Sequence, residues 1–356
     1  MLAALSAFLA FVLISYAVAM LQPSNVSLGV RSVEWLRNHG MAWLVNDVEN
    51  VYYSLNAPKK GGKPLKALPH VGVAAAGVRG IAYQPPPIAP VIHPALPGEG
   101  RWHATGPPVG SSPPVLVSTF RPDPDYPQLV AGVAWIDHTR TRVQLYPGRY
   151  EPASAAVRGP MEVPPGERGN LVATFNSAFK LEDSGAAGFA ALGHTDTPLQ
   201  PNLATLFARA DGSVDIRAWH GGPTAGPGIV FARQNLPLIV EDGHLNPNLS
   251  DGPEWGATLG NKIRVWRSAV GIDARGNLLY AAANDQTVAS IAEILRRAGA
   301  VRAMELDINY EWVSFNTYGA PGAHRQLKLL PGMDRPPDRY LSPDDRDFFA
   351  VFSQAK

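Results

Sequence analysis

The chain has 356 residues, enough for one large domain with additional segments. Lys plus Arg number 31 against 30 Asp plus Glu, a net charge of +1. That balance excludes a protein working mainly through a basic surface, so nucleic acid is not an expected partner. There is no cysteine, which excludes disulfides, thiolate metal sites and cysteine nucleophiles. Hydrophobic residues make up 46%, enough to bury a sizeable core, and the 23 Arg against 8 Lys read as a high-GC bacterial coding bias.

Residues 2–21 form an uncharged apolar run of 20, long enough to cross a bilayer core of about 30 Å. The run reads as a single membrane anchor carrying an extracytoplasmic domain. A cleaved signal ending at Ala17-Val18-Ala19 and a buried core helix are the alternatives. No basic residue precedes Arg31, so charge does not set the orientation.

Residues 23–82 read as a juxtamembrane helical stalk. Val33, Leu36, Trp43, Leu44, Val48 and Val51 would line one stripe, broken at Gly40. Ten prolines between Tyr83 and Val115 mark 83–114 as a proline-rich linker, extended or wrapped on a domain edge. Residues 115–356 are then expected to fold as one unit without 1–114.

Within that unit, short apolar strands flank Asp211-Gly212, Asp242-Gly243 and Arg275-Gly276, all turn signals. Val288, Ile291, Ile294 and Leu295 share a helical face, with Asp285 or Thr287 as N-cap and Gly299 as stop. Val301–Leu306 follows as a strand. The pattern predicts an α+β domain: a strand-rich mixed sheet with few helices.

Three places could carry chemistry. Asn176 and Lys180, at the end of an apolar strand, suit an anionic or sugar oxygen; an ordinary loop with Asn176 as turn former explains them equally. Arg267, amid apolar strand residues, needs a partner, either a phosphate or a structural carboxylate. Glu305 and Asp307 would share a strand face, suited to general acid work, with Glu311 nearby. Glu305 paired with Arg267 is the structural alternative. Asp307 with Asn309 could instead hold calcium, and Tyr310 and Trp312 could stack on a sugar.

These segments, in this order, resemble the phosphodiester glycosidase family over about 125–325. Phe175–Phe179 resembles its Asn-Gly-Gly-aromatic-Phe element, matching at Asn176 and Phe179. Leu236–Gly243 resembles Pro-x-Leu-Val-x-Asp-Gly, which adds Asp242 to the substrate-binding candidates. Arg267–Gly271 resembles Arg-Thr-Ala-Ile-Gly, and Leu306-Asp307 the Leu-Asp of Asn-Leu-Asp-Gly-Gly-Gly-Ser. The resemblance implies a hydrolase acting at a sugar-1-phosphate linkage, here in a cell-envelope glycan. Asp307 would be acid/base, Glu305 or Glu311 its partner, and Arg267 with Lys180 a phosphate clamp. Two departures stand out: Gly-Gly becomes Ser177-Ala178, and the glycine run after Asp307 becomes Ile308-Asn309-Tyr310-Glu311. Side chains there would reshape a pocket otherwise built from backbone N–H groups. A non-catalytic glycan-binding or scaffold domain is therefore the second expectation.

Overall fold

A computed structural model describes residues 2–41, 43–45, 47–48, 57–72, 83–185, 187–258 and 262–354. Val51 and much of the expected stalk lie outside the described residues.

Helix α1, Leu2–Leu21, is the apolar run. Among the described residues it is the one helix long and apolar enough to cross a membrane. Phe8, Phe11 and Leu13 stand 63–67% exposed, so little protein covers it. Such a helix suits a membrane span or a signal sequence. Helix α2, Leu28–Leu36, folds back on it, capped by the Ser27 side chain. Trp35 Nε1 donates to Ser15 Oγ at 3.1 Å, and Tyr16 and Ser32 hydroxyls meet at 2.8 Å. Arg31 closes the α1 C-terminus by donating to the carbonyls of Ala19 and Gln22. The chain leaves the helical path at Gly40, φ 78°.

The α1–α2 hairpin is fastened to the domain. Ser24 Oγ donates to Asp345 (2.7 Å) and Asn25 Nδ2 to Asp344 (2.9 Å). Val26 and Val30 bury against Trp312.

The rest is built from three antiparallel sheets. The largest has the order His103–Ala104, Val115–Phe120, Ala131–Ile136, Leu278–Gln286, Val265–Asp273, Ala300–Glu305, Val240–Glu241, His244–Leu245. A second runs His194–Thr197, Phe189–Ala191, Ile229–Gln234, Ala204–Arg209, Val214–Ala218. The third runs His324–Lys328, Phe315–Ala320, Leu171–Asn176, Phe348–Ser353, Thr141–Tyr146.

The α+β reading holds, with one change: every described strand pair is antiparallel rather than mixed. Helix α3, Val288–Arg297, does return the chain so that Ala300–Glu305 runs the same way as Leu278–Gln286. Val265–Asp273 lies between those two strands and pairs antiparallel with both. The Asp211-Gly212, Asp242-Gly243 and Arg275-Gly276 turns form as expected, each glycine at positive φ. Thr287 caps α3 by accepting from Ser290 N.

Period-two alternation places two cores on opposite faces of the large sheet. One face (Val117, Val270, Ile272, Tyr280, Met304, Leu306) meets Phe175, Phe315 and Phe349 of the third sheet. The other (Leu116, Trp135, Ala269, Leu279, Ala281) is covered by Ile291, Ile294 and Leu295 of α3.

The proline-rich stretch contributes to this second core through Ile88, 2% exposed. Ile88 N donates to Gly100 O at 2.9 Å. Gly100 has φ 73°, and a Cβ there would lie 1.9 Å from Ile88 O, so only glycine fits. His103–Ala104 then pairs with the sheet edge, and Glu99 forms a buried pair with Arg121 at 2.8 Å.

Removing one partner of a buried pair costs about 3–5 kcal/mol, because the other charge stays buried. A chain beginning at residue 115 should therefore be less stable to urea than one beginning at 83, by about 3–5 kcal/mol in unfolding free energy. Equal denaturation midpoints would make the 83–114 contacts dispensable.

Candidate functional site

Three of the motif segments converge on the hydroxyl of Ser268. Strand Ala300–Glu305 leaves the large sheet at Leu306, whose N–H donates to Ser268 O at 2.8 Å. Ser268 Oγ donates to Asp307 O (2.9 Å) and accepts from Asp307 N (3.1 Å). Asn176, ending Leu171–Asn176, donates to the same oxygen from Nδ2 at 3.0 Å.

Of these residues only Asp307 opens onto a cavity. The cavity holds about 400 Å³. Lys180, Asp307, Asn309, Tyr310, Trp312 and Arg346 line it from the domain, and α2 supplies Glu34 across from them. Asp307 Oδ1 accepts from Asn309 N at 2.9 Å, and Oδ2 from Arg346 Nη2 at 3.1 Å. Burial pushes the Asp307 carboxyl up, with the Arg346 charge pulling the other way. Glu34 is raised for the same reason, opposed by Lys180 and Arg346. Lys180 lies 4.0 Å from Glu182.

Several sequence expectations change here. Arg267 is not on the cavity: its Nη1 pairs with Glu305 Oε1 at 2.5 Å and also donates to Trp255 O. Glu305 is fully buried, and burial lifts its carboxyl to about 7 against the pull of Arg267. This is the structural alternative for both residues. Asn176 is a tie rather than a ligand. Its Oδ1 accepts from Tyr280 OH (2.9 Å) and Ser314 N (3.0 Å), spending the side chain on the core. Glu311 is buried beside the cavity wall and accepts from Tyr310 OH at 3.0 Å.

Asp242 is exposed in its turn, next to Val301 through Gly243 N. It therefore flanks the far end of the strand leading to Asp307, six residues or roughly 20 Å along the chain. Trp312 lines the cavity but is 3% exposed. The guanidiniums of Arg335, Arg339 and Arg346 lie 5.0–5.4 Å from its ring, and Val26 and Val30 pack on it. It is the centre of an arginine cage, not an open platform for a sugar.

The calcium expectation at Asp307 and Asn309 does not fit. Both Asp307 oxygens accept hydrogen bonds, one from an arginine, and Asn309 Oδ1 accepts from Glu311 N at 3.0 Å. Among the described residues no cluster of three or more His, Asp or Glu side chains could hold a metal ion.

Arg346 and Glu34 are the site residues that sequence reasoning missed. Arg346 had a signal: Asp344-Asp345-Arg346-Asp347 places four charges directly before the apolar strand Phe348–Ser353. Charges so close to a core strand need partners. Asp344 pairs with Arg339 at 2.7 Å and Asp347 with Arg233 at 2.8 Å, all four side chains fully buried. Glu34 had no such signal, since its place on the cavity depends on how α2 docks.

Glu305 supplies a pH test. Its folded-state pKa of about 7 lies above the ordinary 4.5, so its contribution is fully present at acid pH and lost as pH rises through about 7. Wild-type stability should fall by about 3 kcal/mol over that window at 1.36 kcal/mol per pKa unit. Glu305→Gln should remove that slope in denaturation midpoints measured from pH 4.5 to 8 while keeping any activity. An unchanged slope would assign the titration elsewhere.

Residues 169–307 match the sequence model of the phosphodiester glycosidase family. No curated protein matches the chain. Among solved structures, the zebrafish N-acetylglucosamine-1-phosphodiester alpha-N-acetylglucosaminidase catalytic domain, auto-inhibited by its pro-peptide, is similar at 16% identity. That match covers 69% of this chain and 85% of the zebrafish one, with a TM-score of 0.44. A hypothetical protein from Synechocystis is similar at 14% identity, covering 70% of this chain and 64% of its own, with a TM-score of 0.42. Over residues 169–307, then, this chain is similar to the phosphodiester glycosidase family.

Proposed function

We propose that the protein is a membrane-anchored, extracytoplasmic hydrolase of glycosyl bonds, acting on a sugar-1-phosphate diester or related linkage of cell-envelope glycan. The family match supports glycosidase-type hydrolysis. The observation that carries the reading is one cavity of about 400 Å³ onto which a carboxyl, a buried guanidinium and an ammonium all open: Asp307, Arg346 and Lys180. That volume is of the size that takes a small ligand.

The chemistry follows from the environments. A carboxyl raised by burial keeps its proton nearer neutral pH, so Asp307 can protonate a departing glycosidic oxygen. Arg346 and Lys180 hold phosphate oxygens, the role first expected of Arg267. The other carboxylates on the cavity are Glu34, Glu182 and Asp183; Glu34, raised by burial, takes the place of Glu305 and would direct water to the anomeric carbon. Activity should fall as pH rises through the Asp307 pKa.

A second reading, non-catalytic glycan binding, is favoured by one specific observation. Asp307 and Glu305 are each paired with an arginine. Incubating the full chain with purified envelope glycan separates the two: sugar release supports the hydrolase, whereas binding without release supports the second reading. Asp307→Asn leaves the buried Arg346 without its carboxylate and should lower folding stability by about 3–5 kcal/mol. It should lower sugar release at least about 100-fold. Undiminished release from the folded variant would remove Asp307 from the mechanism.

A further inference from the structure

A larger cavity, of about 870 Å³, separates the α1–α2 hairpin from the domain. Its wall on the α1 side is Ser15, Val18, Ala19 and Gln22. Ser15, Val18 and Ala19 are positions i, i+3 and i+4 of one helical face, and Gln22 follows directly after the helix; Leu and Phe side chains are absent from this wall. The opposite wall includes Glu151, Lys180 and Arg346. Lys180, Arg346 and Glu34 line both cavities, so the cavity on α1 adjoins the one at Asp307.

Two further observations point to what enters. The Arg346 side chain is more than nine-tenths buried, yet its Nε has no hydrogen-bond acceptor. That N–H lies beneath the cavity wall, and an anionic oxygen would satisfy it once the side chain turns toward the cavity. Leu28, Trp43 and Val48, each 62–63% exposed, lie in the segment that follows α1. Tyr16 and Trp35 meet edge-on at 5.2 Å, residue types that settle at the headgroup level of a bilayer. The cavity thus has one wall on the helix that would enter the membrane and another of mixed charge, in which Lys180 and Arg346 are the cations.

We infer that this cavity receives a membrane lipid bearing a glycosyl phosphate. The hydrocarbon chain leaves along the Ser15–Val18–Ala19 face into the bilayer, the phosphodiester lies on Arg346 and Lys180, and the sugar reaches Asp307. The acids on the wall are Glu34, Glu151, Glu182 and Asp345, and Arg31 and His39 are its other basic groups. Burial raises the carboxyls of Glu34, Glu151 and Asp345, which weakens their repulsion of a phosphate. The cleavage step rests on the hydrolase reading; the lipid-phosphate site does not. In that step water adds to the anomeric carbon and the bond from that carbon to the phosphate oxygen breaks. The lipid monophosphate leaves with the electron pair and the Asp307 proton, and a proton from water restores Asp307.

The test is binding to the full chain in phosphatidylcholine nanodiscs. The probes are a polyisoprenyl phosphate, phosphatidic acid, the polyisoprenol without phosphate, and a soluble hexose-1-phosphate methyl diester. One of the two lipid phosphates should bind at least about tenfold tighter than the alcohol and the soluble diester, and its identity names the lipid. Ala19→Trp, which fills the cavity, should weaken that lipid at least about tenfold and leave the soluble diester unchanged. Ser15→Leu should act in the same direction if the larger side chain disturbs α1. Equal binding of alcohol and phosphate, no effect of either cavity variant, or a mature chain lacking α1 by mass spectrometry would overturn the proposal. Lipid binding without sugar release would keep the lipid site and reject the hydrolase reading.

Discussion

The mouth of the site depends on one hydroxyl. Ser268 Oγ has one hydrogen to donate and two lone pairs, and all three are spent: on Asp307 O, Asp307 N and Asn176 Nδ2. Asn176 extends the tie to Tyr280 and Ser314. Beneath it Phe175 stacks on Phe349 at 5.0 Å and on Phe315 at 6.0 Å, fixing the backbone that carries the asparagine. Asp307 is therefore held by backbone and side-chain bonds to two neighbouring strands. Its carboxylate orientation is not left to a mobile loop.

The two carboxylates nearest this hub illustrate how environment separates identical chemistry. Glu305 is still in the sheet, at the level of Ala269, and its partners lie on the side of Trp255 and Gln286. Asp307 comes after the strand has ended, and its partner, Arg346, arrives from the segment just before the third-sheet strand Phe348–Ser353. One pair is sealed in the core and the other borders a cavity. Desolvation dominates for both, but only the second can exchange its arginine contact for a ligand.

This also explains what could be read from the sequence. Turn pairs, the α3 face and the apolar α1 are local signals, and they were legible because nothing distant competes with them. The Arg267–Glu305 pairing was legible as one of two alternatives, since an arginine in an apolar strand demands a counter-charge. Asn176 misled because a polar residue at a strand end looks the same whether it faces solvent or closes a core. Asp242 misled because an Asp-Gly turn carries no information about which end of a neighbouring strand it meets. Strict strand alternation placed Asp307 with Glu305, and the strand ended first. Glu34 and Arg346 come from opposite ends of the sequence, and no local pattern brings them together.

The position of Phe348–Ser353 has a consequence for how the protein is made. That strand lies between Thr141–Tyr146 and Leu171–Asn176, so about 170 residues must be synthesised after those neighbours before the middle of the sheet exists. Until then both flanking strands present unpaired edges, which invite pairing with other chains. Arg346 is delivered with the same segment, so the charge beside Asp307 arrives when that sheet closes. Assembly of the fold and assembly of the site are one event, ordered by vectorial synthesis. A translation pause or a cut between 310 and 340 would leave a chain with its large sheet complete and neither a closed third sheet nor a neutralised Asp307.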